Sequence, residues 1–250
     1  MSYERPVVLS IAGYDPSGGA GVLADVKTFE QFHCLGMAAV TAWTIQTEDS
    51  FYSLEPLDAV QIIAQVKPLL ERYPISWIKI GLFPRAEELL VLLQWLKAQS
   101  ENLRIVWDPV LAASTGYSFT SDLGQTLLQE ILKHIYLVTP NLQEAKIMTG
   151  LPDEQQAAAW LAQYCRVLLK GGHSTTAPGV DYLYQNDLMI PILPAELEVW
   201  AKHGSGCILS AALVAALAKG CLLDEACRTA KQYIQQVLRS NTQLLAYHAP

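Results

Sequence analysis

Short apolar runs alternate with helix-like stretches along almost the whole 250-residue chain, and this alternation limits the possible folds more than any other feature. The runs VVLSIAG (7–13), MAAVTAWTI (37–45), WIKIG (77–81), RIVWD (104–108), YLVT (136–139) and RVLLKGG (166–172) are almost continuously apolar. Strands of that kind bury both faces, as in a parallel sheet lying between two helical layers. The stretches between them, 20–34, 56–72, 85–99, 121–133, 141–149 and 154–164, read as helices, with Pro56 and Pro84 at positions suited to a helix start. DYLYQNDLMIPI (181–192) breaks the pattern, because two short β-runs around Gln185-Asn186-Asp187 predict a hairpin at a sheet edge. Two helices, about 206–219 and 223–241, follow it. The expected architecture is α/β: a three-layer, mostly parallel open sheet with helices on both faces, a small edge hairpin and no separate lid domain. At 51% hydrophobic composition one core is sufficient, so residues 1–250 are expected to form a single domain.

Charge narrows the partners. A formal net charge of −7 argues against a nucleic-acid surface or an acidic membrane as the target. A phosphate ligand would need local backbone donors and a few lysines. The five cysteines, Cys34, Cys165, Cys207, Cys221 and Cys227, include no CxxC pair, so neither a disulfide framework nor a cysteine metal site is expected. MSYERPVVLSIAG carries Glu4 and Arg5 ahead of a strand-like run, which is not a signal-peptide pattern, and a reducing cytoplasm is the expected compartment.

Open α/β sheets bind ligands beyond the carboxyl ends of their strands, so the residues after each strand are the ones to read. After the first comes a Gly-rich turn, Pro16-Ser17-Gly18-Gly19-Ala20-Gly21, whose spacing matches neither the dinucleotide fingerprint nor the P-loop. Asp25 follows one helical turn later, either facing the strand ends or simply solvated. Gln46 offers amide donors and an acceptor, suited to the edge of a heteroaromatic ring. Asp108 stands before a proline at a strand end, as a metal carboxylate or a turn cap. Asn141 opens a helix with Glu144 on its first turn, where the dipole favours an acid. Lys170-Gly171-Gly172 can bring an ammonium and bare backbone to phosphates.

KHGSGCILSAALVAALAKG (202–220) places Gly204-Ser205-Gly206 and Cys207 ahead of an Ala/Leu helix too short to span a bilayer, which takes ~20 residues. The first amides of that helix have no partner within it and suit an anion. A thiol on this turn is expected to have a lowered pKa. Close packing of small residues is the alternative reading of the same motif.

Taken together, SIAGYDPSGGAGVLADVKTF, KIGLF, DPV, VTPNLQEA, LLKGGH, DYLY and HGSGC followed by SAA resemble the hydroxymethylpyrimidine/phosphomethylpyrimidine kinases of thiamine biosynthesis, within the ribokinase-like superfamily. These stretches run in the family's order from residue 10 to about 213, with AKQYI (230–234) beyond. The resemblance implies ATP-dependent phosphorylation, with Mg²⁺, of 4-amino-5-hydroxymethyl-2-methylpyrimidine and of its monophosphate. It makes Gly204, Ser205, Gly206 and Cys207 the anion hole, with Cys207 against the substrate hydroxyl either as base or as positioning group. The pyrimidine pocket would be Gly13, Asp25, Gln46 and Leu82. The nucleotide would meet Asn141, Lys170, Gly171, Gly172, Asp181 and Lys231, while Asp108 and Glu144 would organise Mg²⁺ through waters.

The chain also departs from the pattern. Leu82 stands where the family usually has Met, Ile45-Gln46-Thr47-Glu48 replaces AQNT, and Trp200-Ala201-Lys202 replaces the usual Asn-Thr before His203. The span from Lys170 to Asp181 is short. Three rival readings stand beside the main one. They are a pyridoxal kinase of the same superfamily, a catalytically silent pyrimidine-binding protein, and an enzyme using Cys207 as a covalent nucleophile with His203 as its base. Apolar helices and low surface charge point to a homo-oligomer with small-molecule ligands.

Overall fold

The first apolar run forms β1 (Val7–Tyr14), buried from Val7 through Gly13. The computed structural model describes residues 3–112, 123–172, 174, 177–195 and 198–248. On one side β1 pairs parallel with β2 (Leu35–Gln46), which pairs antiparallel with β3 (Phe51–Pro56). On its other side lie β4 (Trp77–Ile80), β5 (Arg104–Trp107), β6 (Leu137–Val138) and β7 (Arg166–Leu169), all parallel. The antiparallel hairpin β8 (Asp181–Gln185) and β9 (Leu188–Ile192) completes the sheet order β3-β2-β1-β4-β5-β6-β7-β8-β9. Its turn, Asn186-Asp187, has both φ angles positive (50° and 61°), as a two-residue hairpin loop requires.

Helices cover both faces. α2 (Ala59–Arg72), α3 (Ala86–Gln99), α4 (Gln125–Leu132), α5 (Leu142–Thr149) and α6 (Glu154–Leu161) pack on one. α1 (Gly21–Gln31), α7 (Ser205–Ala218) and α8 (Leu223–Leu238) pack on the other. The three-layer expectation is met. Among the described residues no helix is long and apolar enough to cross a membrane.

Pro56 departs from the expectation: it ends the edge strand β3 instead of opening a helix. A proline lacks the amide a central strand needs but is tolerated at a sheet edge. α2 starts after Asp58, whose side chain accepts the Gln61 amide at 2.8 Å while Gln61 Oε1 accepts the Asp58 amide at 3.0 Å. Of the helix predicted over 121–133, residues 121 and 122 lie outside the described residues, as does His173 of LLKGGH.

The chain runs outward from β1 to β2 and β3, then crosses back to β4 on β1's other flank. This reversal is a topological switch point, where crevices open in sheets of this kind.

Candidate active site

The GSGC turn and the PSGGAG turn are built into each other. Gly204, the residue before α7, has φ +72°, and a β-carbon there would stand 2.0 Å from the Gly19 carbonyl oxygen. Only glycine allows this approach. No side chain caps α7, so its first amides face outward at the positive end of a 14-residue helix. His203 Nε2 lies 2.8 Å from Asp15 Oδ2, tying the two turns together. Asp15 also accepts the amides of Ser17 (2.9 Å) and Ala20 (2.8 Å) and the Ser17 hydroxyl (2.9 Å). Burial alone would raise the Asp15 carboxyl, but the bonds from His203 and Ser17 outweigh it and hold it low. Nδ1 of His203 is buried without a hydrogen-bond partner among the described residues.

Opposite these amides sits a cation between two acids. Lys170 Nζ lies 2.6 Å from Asp108 Oδ1 and 3.8 Å from Glu144 Oε2. Burial alone would lower the ammonium, yet the two carboxylates outweigh it and keep Lys170 protonated. Asp108 is 1% exposed and also accepts Ser210 Oγ (3.0 Å) and Thr139 Oγ1 (3.2 Å). Burial would raise it, but Lys170 and Lys79 hold it well below the usual range. A β-carbon on Gly206 would lie 3.2 Å from Lys170 Nζ and 3.9 Å from Asp108 Oδ2, so the helix terminus and the charged cluster converge. Asn141 and Glu144 form a capping box on α5: Asn141 Oδ1 accepts the Glu144 amide at 2.8 Å, and Glu144 Oε2 accepts the Asn141 amide at 2.6 Å.

These groups line one cleft of about 1040 Å³. Gly13, Gln46 and Leu82 line it with Asn141, Glu144, Lys170, Gly172, Asp108 and the Gly204–Cys207 turn. Leu82 is seated against Gly13, where a β-carbon would meet its Cδ2 at 2.9 Å, and its carbonyl accepts Thr41 Oγ1 at 2.6 Å. Gln46 Nε2 donates to Thr44 Oγ1 at 2.9 Å.

Four expectations need correction. Asp25 does not reach the cleft: its side chain is fully buried, Lys79 Nζ lies 2.8 Å from both its oxygens, and Ser10 Oγ donates to Oδ2 at 2.5 Å. Asp181 and Lys231 form a second buried pair at 2.8 Å instead of lining the cleft. Gly171 is buried with them, its amide donating to Asp181 Oδ1 at 2.8 Å. Finally, the Cys207 thiol is raised to about 11, not lowered. Burial dominates, with Asp108 and Asp25 adding to it and Lys79 and the Gly21 backbone opposing. A helix terminus lowers a thiol only when the thiolate can be solvated or paired.

Sequence reasoning overlooked Asp15, which lines the cleft, and Lys79, Thr139 and Ser210, which hold Asp25 and Asp108 from behind it. A lysine in the apolar run WIKIG was the one available signal, since a charge on a doubly buried strand needs a partner.

Burial raises Glu144 to about 7, with Lys170 opposing and Asp108 adding to the rise. Its carboxylate therefore forms only as pH rises through about 7, and for this group the folded state loses stability between its ordinary 4.5 and about 7. The acid side of kcat/KM is expected to fall below about pH 7, and Glu144→Gln to remove that limb. A pH–rate profile in which the variant keeps the same limb would contradict the assignment.

Among the described residues no cluster of three or more His, Cys, Asp and Glu side chains is placed to hold a metal. Asp108 and Glu144 are hard oxygen donors at the cleft, a set that fits Mg²⁺, which retains waters and shares phosphate oxygens.

Uncapped helix amides set across from a lysine and two carboxylates, at the switch point of an open sheet, suit a ribokinase-like kinase. Solved structures agree. Phosphomethylpyrimidine kinase of Clostridium difficile 630 is 30% identical with a TM-score of 0.79, over 94% of this chain and 100% of that one. The pyridoxal kinase of Staphylococcus aureus in complex with ADP is 26% identical with a TM-score of 0.83, over 98% of this chain and 94% of that one. The chain belongs to the phosphomethylpyrimidine kinase family, whose profile matches residues 15–250. A hydroxymethylpyrimidine/phosphomethylpyrimidine kinase of Aquifex aeolicus is 32% identical over 95% of this chain and 96% of its own length.

Proposed function

We propose that the chain phosphorylates 4-amino-5-hydroxymethyl-2-methylpyrimidine with ATP and then phosphorylates the monophosphate to the diphosphate. The observation that carries this reading is the convergence of the uncapped α7 terminus, Lys170, Asp108 and Glu144 beside a pocket edged by Gly13, Gln46 and Leu82. Transfer forms a bond from the substrate hydroxyl oxygen, or in the second step a phosphate oxygen of the monophosphate, to the γ-phosphorus as the bond to the bridging oxygen breaks and ADP leaves; the hydroxyl proton passes late to the transferred phosphoryl group and on to solvent, and positioning and charge stabilisation supply most of the rate. The amides of Ser205, Gly206 and Cys207 would hold the equatorial oxygens. Lys170 would take the charge that develops toward the leaving group. Asp108 and Glu144 would hold Mg²⁺, which shields the phosphates when bound. With its thiol near 11, Cys207 works protonated at neutral pH and positions the hydroxyl instead of acting as thiolate base.

Gln46 is the group assigned to the ring edge. Asp181 and Lys231 act indirectly, fixing the Gly171–Gly172 backbone against the nucleotide. The five free thiols support work in a reducing cytoplasm. Exposed Trp43, Ile45 and Tyr52 on β2 and β3 support self-association.

Purified protein with ATP and Mg²⁺ is expected to turn over the aminopyrimidine alcohol and its monophosphate. Cys207→Ala should lose at least about 10²-fold in kcat, as for removal of a well-placed transition-state contact. Turnover of pyridoxal alone would keep the chemistry and reassign the substrate, an alternative that the likeness to a pyridoxal kinase keeps in view. No turnover of any of these alcohols would overturn the reading.

A further inference from the structure

The loop ahead of α7 is gripped by the end of the chain. Lys202, 7% exposed, points Nζ at two backbone carbonyls, those of Asn241 (2.6 Å) and Gln243 (2.7 Å). The next amide, His203 N–H, donates to Leu244 O at 2.9 Å, and Trp200 N–H donates to Leu238 O at 3.3 Å. The gripping segment is itself folded: Gln243 N–H donates to Asn241 Oδ1 (2.7 Å), Asn241 Nδ2 to Leu245 O (3.0 Å) and Tyr247 N–H to Ser240 Oγ (3.0 Å). Leu245 then meets the PSGGAG turn, where a β-carbon on Gly19 would lie 2.8 Å from its Cδ2 and 2.6 Å from His203 Cδ2. The glycine turn, His203 and the C-terminal segment thus form one interlocked unit.

Lys202 is unusual within that unit. It borders the cleft and makes no ion pair among the described residues, and within the protein its ammonium is held by the two backbone carbonyls. Desolvating an ammonium for two neutral acceptors is a costly way to pin a loop. It does so two residues before the first glycine of the GSGC turn.

We infer that Lys202 is a positioning residue for phosphoryl transfer: through Asn241 and Gln243 it clamps residues 200–204 and so sets where the α7 amides stand relative to Lys170 and Asp108. The inference rests on the kinase reading for its kinetic consequence but not for its structural one.

The test compares Lys202→Met, Lys202→Arg and Asn241→Ala by amide hydrogen exchange of the 199–207 peptide and by steady-state kinetics with the aminopyrimidine alcohol. Lys202→Met is expected to speed exchange in that peptide by about 10-fold or more, while exchange in β1 and β4 stays unchanged. Its kcat should fall ~10–100-fold with KM for the alcohol moved less than about 3-fold, the pattern of a displaced reacting geometry. Lys202→Arg, which can still reach both carbonyls, should restore exchange and kcat, and Asn241→Ala should show the same changes at smaller amplitude. Unchanged exchange in Lys202→Met, or an arginine variant as defective as the methionine one, overturns the clamp. If Lys202→Met does not fold, Lys202→Gln, which removes the charge and cannot reach both carbonyls, decides, and parent-like exchange and kcat in it overturn the inference. If the parent chain phosphorylates no alcohol, the kinase reading fails and the exchange data still decide the clamp.

Discussion

Lys170→Met is expected to lower kcat by about 10²–10³-fold, roughly 2.7–4 kcal/mol of transition-state stabilisation. The ammonium sits where three features meet: Asp108 at 2.6 Å, Glu144 at 3.8 Å and the α7 terminus, whose Gly206 would bring a β-carbon to 3.2 Å. Without it, negative charge developing on the transferred group loses its buried counter-charge, and two acids face each other with no cation between them. Glu144, raised to about 7 even with Lys170 opposing, should then ionise still higher, moving the acid limb of the pH–rate profile alkaline. Lys170→Arg keeps the charge but replaces a point cation with a planar fork, so a partial loss is expected. Steady-state kinetics on the three proteins across pH checks both statements. A methionine variant within tenfold of the parent would remove Lys170 from the chemistry.

The second large effect concerns stability. Lys79→Met should destabilise the fold by about 3–5 kcal/mol, because it strands the Asp25 carboxylate in a fully buried site. Burial alone would lower the Lys79 ammonium, yet Asp25, with Asp108 beyond it, outweighs it and keeps it charged. Replacing both partners, as Asp25→Leu with Lys79→Met, should recover most of the loss, since an apolar pair of similar volume needs no compensating charge. Urea unfolding of the single and double variants measures this directly. Asp25 supports the strands behind the cleft, so Asp25→Asn, added to the same urea series, is expected to cost stability as well.

How much of this was legible in the sequence depended on the range of the interaction that decides each feature. Continuous apolar runs marked β1, β4, β5 and β7, where burial on both faces leaves no alternation to read, whereas β2, read the same way, leaves Trp43 and Ile45 exposed beside the edge strand β3. Asn186-Asp187 marked the hairpin, because a two-residue turn has few solutions. Gly13, Gln46, Leu82, Asp108, Asn141, Glu144, Lys170 and Gly172 share one cleft, since strand direction alone puts them at the same end of the sheet, while Asp25, Gly171, Asp181 and Lys231 are drawn into buried pairs beside it. Other failures lay elsewhere. FYSLEP became β3 because β2 offered it an edge, a fact outside its own six residues. Asp15 and His203 meet across a sequence separation of 188, and Asp25 and Lys79 across 54. The Cys207 thiol was misjudged for a similar reason. Its place on a helix turn is local and visible, whereas the burial that outweighs the helix comes from the packing of α7 on the sheet.

That packing also sets a schedule. The strands that carry the Gly13, Gln46 and Leu82 side of the cleft, β1, β2 and β4, all lie within the first 80 residues, while α7 begins only at Ser205. A chain emerging from the ribosome therefore carries one half of its cleft long before the other. Over the same interval Val8, Val106 and Leu168 lack the Ala/Leu helix that later covers them. The nascent chain is thus at once unable to transfer phosphate and most prone to stick to its neighbours, and both conditions end only when α7, then α8 and the residues that grip the α7 entry loop, have arrived.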